Sequence, residues 1–302
     1  MTAAPVAERP VAERAAAERP AAQEAPGPEA QCRVRGVVVR RVEPVSESFV
    51  RLVFGPESAG DPLPFPALGA DQWFRLFLPA GGRRDAELLP PWGGAAGWYQ
   101  RWQGLPPESR AVIRNYTVRA IRGGDGPDWE FDVDFVLHRD AAGALEGTAA
   151  GWAAAAAPGD RAAVLGQGTI FTRLCDPCRV LAVCDETGLP GIEAILADLP
   201  EGVSADVIAE VPTDDDARAL PGAASVTWIA RDRGMGWEPA LAEAMRDGGT
   251  DSLYAVGCNE LALGARRMAR EAGYDDERIT FCSYWRAQRE RRAPRRAEAG
   301  AA

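Results

Sequence analysis

The sequence predicts a β + α/β chain: a six-stranded antiparallel β-barrel followed by a doubly wound α/β domain. Three observations carry this. Between Val34 and Leu165, short apolar strands alternate with turns rich in Gly, Pro and Asp, the pattern of a small barrel. From Val180 to Trp285 the pattern becomes strand, helix, strand, repeated, which indicates a parallel sheet covered on both faces. The length, 302 residues, suffices for two ordinary domains plus tails. The expected organisation is a disordered tail over 1–30, a barrel over 31–173, an α/β domain over 174–289 and a basic disordered tail over 290–302.

Residues 1–30 repeat VAERP, VAERA and AAERP loosely, with few large apolar side chains, so no core forms there. Val34, Val37, Val38 and Val39 mark the first strand, residues 49–54 the second, and DQWFRLFL at 71–78 the third. Pro62, Pro64 and Pro66 stiffen the loop between the last two. Residues 79–110 read as a long loop with one short helix around Trp98 to Trp102. Its Trp92, Trp98, Tyr99 and Trp102 either fasten it to the barrel or cover a ligand. RNYTVR at 114–119 is the fourth strand. The fifth, over 129–138, places Phe131, Val133, Phe135 and Leu137 on one face. Gly147 opens a helix that runs to Ala157, and the turn Pro158-Gly159-Asp160 leads into the sixth strand at 161–165.

The second domain is read as strands at 180–184, 205–211, 225–230, 252–256 and 279–285, with helices at 187–199, 237–246 and 261–272. Such sheets bind ligands at the carboxyl ends of their strands. Asp185-Glu186-Thr187, Gly257-Cys258-Asn259 and Ser283-Tyr284-Trp285-Arg286 fall at those ends. The dehydrogenase fingerprint GxGxxG does not occur.

Net charge is −10 and the isoelectric point about 4.9, which argues against nonspecific nucleic-acid or anionic-membrane binding. Every basic side chain is Arg. No apolar run approaches a membrane span, and the N-terminus lacks the basic and apolar regions of a secretory signal. A soluble, cytoplasmic, monomeric protein is expected. The six cysteines are Cys32, Cys175, Cys178, Cys184, Cys258 and Cys282, and a cytoplasmic chain of this size needs no disulfides. Cys175-Asp-Pro-Cys178 has CxxC spacing, yet His138 is the only histidine. No metal site is therefore expected, and the CxxC reads as a turn into the next strand.

RNYTVR carries the most chemistry. Alternation along a strand points Arg114 and Tyr116 the same way. That face offers a permanently charged fork, able to grip a pyrophosphate with two parallel hydrogen bonds. Beside it lies a flat ring with a polar tip, able to pack on an isoalloxazine or ribityl chain. The pair suits a dinucleotide flavin. If the strand ends or bulges at Thr117, that hydroxyl reaches the flavin edge near N5, so Tyr116 and Thr117 are the candidates for a catalytic role.

Arg-x-Tyr-Thr-x-Arg resembles the flavin signature of the ferredoxin-reductase-like flavoproteins. With DFVLH at 134–138, GTAAGWA at 147–153, PGD at 158–160, DETGLP at 185–190 and SYWR at 283–286, the chain resembles the siderophore-interacting proteins, FAD-dependent ferric-siderophore reductases. The resemblance covers roughly residues 31–289. It implies FAD in the barrel, NAD(P)H on the α/β domain and a ferric siderophore as substrate, with a ferredoxin as an alternative donor. Hydride would pass from nicotinamide to flavin, and single electrons from flavin to Fe(III), leaving an Fe(II) that hard oxygen donors hold less tightly. Arg114, Tyr116 and Thr117 would hold and tune the flavin. Asp134, Val136 and His138 would line its ribityl–pyrophosphate path, His138 without acid–base work. Gly147, Thr148, Ala149 and Ala150 would receive the pyrophosphate at a helix N-terminus. Asp185, Glu186 and Thr187, with Tyr284, Trp285 and Arg286, would meet the nicotinamide.

The chain departs from that family's pattern. Thr148 and Ala150 stand where the family has Pro and Ser, which weakens the flavin grip but keeps the backbone donors. Cys184 replaces a Gly, Cys258 a Glu, and Leu263 a basic residue. These departures predict Cys184, Cys258 and Cys282 as small fillers lining the nicotinamide cleft. They also keep two rivals in view: a flavin reductase or tailoring oxidoreductase on an organic substrate, and a non-catalytic ferric-chelate-binding flavoprotein. The basic stretch 286–296 reads as a solvated helix end or a collector of anionic chelates.

Overall fold

The protein is described from a computed structural model covering residues 33–79, 97–124, 126–140, 142–171 and 178–286. The segments expected as tails lie outside the described residues, as does the 173/174 boundary. The first sheet contains β1 (Arg35–Pro44), β2 (Phe49–Pro56), β3 (Trp73–Leu78), β4 (Val112–Thr117), β5 (Ala120–Arg122), β6 (Glu130–Val136) and β7 (Arg161–Gly168). Its order is β4-β3-β7-β1-β2-β6-β5, all antiparallel. The edge strands β4 and β5 are consecutive in the chain, with only Val118 and Arg119 between them, so the sheet must curl until its edges meet. Those two residues complete the closure: the Val118 N–H donates to the Gln72 carbonyl at 2.8 Å and the Arg119 N–H to the Asp132 carbonyl at 2.9 Å.

The barrel thus has seven strands, not the expected six. The additional one is three residues long, too short to show a period, and closure of the sheet creates it. Inside, the rings of Phe54, Phe65, Phe74, Trp129 and Phe131 pack with centroids 5.2–6.0 Å apart, and all five are buried. Burying each ring contributes on the order of 2–3 kcal/mol.

Helix α1 (Trp98–Gly104) lies outside the barrel. Trp98 meets Phe77 edge-on at 5.4 Å under the Arg75 guanidinium, and the Trp102 indole donates to the Ala111 carbonyl at 2.9 Å. These aromatics fasten the segment to the barrel; Trp92 lies outside the described residues. Helix α2 (Thr148–Ala154) follows β6 and covers the core through Ala149, Trp152 and Ala153.

The second sheet is parallel, in the order β10-β9-β8-β11-β12. Its strands are β8 (Cys178–Cys184), β9 (Val203–Val211), β10 (Ser225–Ala230), β11 (Ser252–Cys258) and β12 (Ile279–Trp285). Alternate side chains feed two cores, as a strand's period of two requires. Val180, Ala182 and Cys184 pack with α3 (Leu189–Ala197), while Leu181 and Val183 share a cluster with α4 (Glu238–Arg246) and α5 (Asn259–Glu271). The sheet is therefore doubly wound. Its strand order reverses between β8 and β11, the switch point where ligands enter such sheets. Cys178, at the head of β8, is disulfide-bonded, contrary to the expectation of an unlinked turn; Cys175 lies outside the described residues.

Charge locks the two sheets together. Asp134 of β6, with no exposed side-chain surface, accepts from Arg51 at 2.6 and 3.0 Å and from Arg218 at 3.1 Å. Arg218 also pairs with Glu193 of α3, which accepts from Arg119 at 2.6 Å. Asp216 accepts from Ser46 and Ser48 of the β1–β2 turn at 2.5 and 2.9 Å. Buried Asp71 takes the Ile170 and Phe171 N–H groups and, across the seam, the Tyr254 hydroxyl at 2.6 Å.

Candidate functional site

A cavity of about 510 Å³ opens along this seam. The barrel lines it with the end of β4, with Trp73, Val136 and His138, and with the first turn of α2; the parallel sheet contributes Thr187, Pro190 and residues 282–285.

Strand β4 ends at Thr117, which is among the residues lining the cavity. Arg114 and Tyr116 pair with Leu76 and Phe74 of β3, so they share a face, as alternation predicts. Arg114 is exposed, and its guanidinium donates to the neighbouring Ile113 carbonyl at 2.8 Å. The Tyr116 ring rests on Phe135 at 4.3 Å. Burial pushes its phenol well above the ordinary range, with Arg114 opposing, so the hydroxyl stays protonated at neutral pH and is available to donate.

Gly147 precedes α2 with φ 89° and ψ 146°, a region that glycine alone occupies without strain. No side chain caps this helix, and its first turn carries no acid. The N–H groups of Thr148, Ala149 and Ala150 lack intrahelical partners and belong to residues lining the cavity. The site therefore offers an exposed guanidinium held only by a neighbouring carbonyl, a phenol and a cluster of amide donors, with small side chains at the helix tip. That donor set fits the pyrophosphate and ring of a flavin dinucleotide.

Asp134 borders the cavity, but the guanidiniums of Arg51 and Arg218 occupy its carboxylate, with Arg119 4.0 Å away. Its carboxylate is therefore taken up by internal partners rather than left open to the cavity. His138 lines the cavity, its ring 5.7 Å from Trp285. Burial lowers its pKa, with Asp185 opposing and Arg231 reinforcing the shift.

On the sheet side, Thr187, Tyr284 and Trp285 reach the cavity, whereas Asp185, Glu186 and Arg286 are not among its lining residues. Asp185, 1% exposed, accepts from the Thr187 amide at 2.8 Å, the Thr187 hydroxyl at 2.5 Å, the Cys258 amide at 2.6 Å and the Trp285 indole at 3.0 Å. Glu186 is equally buried and held by Arg231; burial raises its pKa, followed by the repulsion of Asp185. Arg286 is exposed beyond β12. Position at a strand end put these three beside the ligand, but internal partners claim both carboxylates.

The cysteines do not converge. Cys184 is buried in the core on the α3 face, with its thiol raised well above the ordinary value by burial. Cys258 packs on the opposite face and its sulfur caps α5 by accepting from the Leu261 N–H at 3.4 Å, while burial pushes the thiol up to about 11. Cys282 alone of the three lines the cavity. Among the described residues, no group of three or more His, Cys, Asp or Glu side chains is placed to hold a metal, and no helix is long and apolar enough to cross a membrane.

Sequence reasoning missed Trp73, Ile113, Asn115, Glu146, Ile170 and Pro190 as lining residues. Asn115 and Pro190 lie inside quoted motifs, and Ile113 and Glu146 adjoin them. Trp73 had a structural signal only, its pairing opposite Thr117.

Comparison with known proteins fits this geometry. Residues 38–170 match the siderophore-interacting FAD-binding domain, and residues 178–288 match the siderophore-interacting protein family. An NADPH-dependent ferric-chelate reductase of Escherichia coli is 29% identical over 261 residues, covering 85% of this chain and 94% of that protein. A ferric vibriobactin reductase of Vibrio cholerae is 30% identical over 190 residues, covering 60% of this chain and 66% of its own length. The crystal structure of a siderophore-interacting protein from Aeromonas hydrophila shares the fold, with a TM-score of 0.62 at 24% identity over 85% of this chain and all of that one. Two family matches, side by side and meeting at the seam that forms the cavity, place this chain in the siderophore-interacting protein family.

Proposed function

We propose that the chain is an FAD-dependent NAD(P)H:ferric-chelate oxidoreductase that reduces the Fe(III) of a siderophore to Fe(II). The observation that carries this reading is the donor set on the barrel side of the cavity, which no acidic side chain occupies. Arg114 and the open N-terminus of α2 hold the pyrophosphate between them, as a charged fork and backbone amides facing one anion. Tyr116 packs on the flavin and donates its protonated hydroxyl, and Thr117 meets the reactive edge. Gly147, Thr148, Ala149 and Ala150 keep the helix tip low enough for the phosphates to approach. Val136 and His138 wall the path between pyrophosphate and ring, and the neutral imidazole leaves the phosphate charge to Arg114. Thr187, Tyr284 and Trp285 form the wall that a nicotinamide meets. When bound, the flavin converts a two-electron hydride donor into a one-electron source for iron.

The finer parts of the proposal are a siderophore-class substrate, NAD(P)H in preference to a ferredoxin, a cytoplasmic location and a monomer. A pyridine-nucleotide donor supports the location. The test is a visible spectrum of the purified protein, then anaerobic NADPH, then a ferric siderophore with a ferrous-specific chromophore. Flavin bands that bleach with NADPH and return as Fe(II) appears are the expected result. A colourless protein that binds ferric chelates, or a protein that reduces free flavin but no chelate, would displace this reading.

A further inference from the structure

Asp185 stands at the switch point, directly after β8. Its carboxylate gathers donors from residues 2, 73 and 100 positions away. The four hydrogen bonds, at 2.5–3.0 Å, fill the acceptor capacity of a carboxylate; no neutral side chain of that size accepts four. The surroundings are shaped to admit it. Gly257 lies at φ 138°, and a Cβ there would stand 2.6–2.8 Å from the Asp185 carboxyl. At the same point the β11–β12 register shifts, so that Cys258 pairs with Trp285 and Tyr284 is skipped. That bulge brings the indole level with the carboxylate. Two of the three residues so held, Thr187 and Trp285, line the cavity, whereas Asp185 itself does not.

We propose that Asp185 is a positioning residue for the pyridine-nucleotide half of the site, clamping Thr187, the Cys258 amide and the Trp285 indole into one rigid wall. The proposal rests on the reading that this wall receives the nicotinamide. Because Asp185 is fully satisfied from within, no charge in the wall changes partners when the dinucleotide enters or leaves. The indole, at the end of an edge strand, has its Nε1 anchored at Asp185.

The test uses FAD-loaded wild type, Trp285→Phe, Asp185→Ala and the double variant. Calorimetric titration with NADP⁺ and the anaerobic rate of flavin bleaching by NADPH are both measured; neither needs a ferric chelate. Trp285→Phe keeps an aromatic ring but removes the indole N–H together with part of the ring surface, and is expected to weaken NADP⁺ binding about threefold; Asp185→Ala, losing every arm of the clamp, about tenfold or more. In the Asp185→Ala background, Trp285→Phe should cost clearly less than it does alone, because the bond to Asp185 is already gone and only the lost ring surface counts. Flavin content per protein should stay at the wild-type level. Should Asp185→Ala not fold, Asp185→Asn, which keeps the shape and one accepting oxygen, takes its place in the same cycle. Unchanged NADP⁺ affinity in the variants, multiplied effects in the double variant, or losses confined to flavin content would overturn the proposal. A wild type that binds no pyridine nucleotide would overturn the reading of the site with it.

Discussion

The two walls of the cavity treat their polar groups in opposite ways. On the barrel side, Arg114 donates to a local carbonyl and the first turn of α2 carries no cap. On the parallel-sheet side, Asp185 accepts four hydrogen bonds and Glu186 is held by Arg231. Donors left open suit a ligand that stays, since each gains a partner on binding. A wall already satisfied suits a ligand that must leave, since departure strands no buried charge. The contrast is what the proposed division between a resident flavin and a visiting nicotinamide calls for.

The largest expected effect tests whether a saturated carboxylate on the cavity border is structural. Asp134→Ala removes the anion that Arg51 and Arg218 share, leaving guanidiniums in a seam where they are less than one-fifth exposed. Losing one partner of a buried pair costs about 3–5 kcal/mol. Thermal unfolding should shift down accordingly, while FAD affinity, measured on the protein still folded at low temperature, changes less than about threefold. Loss of flavin at an unchanged unfolding midpoint would return Asp134 to the ligand side of the comparison.

The next effect runs the other way. Arg114→Ala should weaken FAD binding roughly 10–100-fold, the worth of a charge-assisted bond. Fluorescence titration of the apoprotein measures it. Because the side chain is exposed and bonded only to its neighbour, apoprotein stability should move by less than about 0.5 kcal/mol. A variant that keeps its flavin would leave the open-donor wall without its principal cation.

How much of this was legible beforehand depended on the range of the interaction. Strands Ser225–Ala230 and Ile279–Trp285 fall where the strand–helix–strand alternation placed them, because a run of β-favouring side chains is local to a handful of residues. Strand β5 left no such trace; it exists because the barrel closes. At the site, the shared face of Arg114 and Tyr116 was readable from a two-residue spacing. The roles of Asp134 and Asp185 were not, because Arg51, Arg218, Cys258 and Trp285 lie 73 to 100 positions away in the chain. Both aspartates sit in quoted motifs, and a motif reports that a residue matters without reporting to what it is bonded.

The smallest effect lies where the walls touch. His138 of the barrel faces Trp285 and stands 3.9 Å from Glu186, with Asp185, Arg231 and Glu146 also acting on it. Burial is the largest influence, and it lowers the imidazole pKa below the ordinary 6.5. The folded protein therefore binds fewer protons at this site than the unfolded chain across the interval between the two values. Stability rises with pH wherever the unfolded state holds the extra proton. The contribution is thus fully present above about pH 6.5, is lost as pH falls toward the lower folded value, and is flat below it. With the side chain 40% exposed, solvent screening keeps the slope shallow. His138→Gln should flatten that part of the stability–pH curve and leave the plateau above pH 7 nearly unchanged. A slope that persists in the variant would assign the titration to another group, and the seam between the two walls would then be indifferent to the only histidine in the chain.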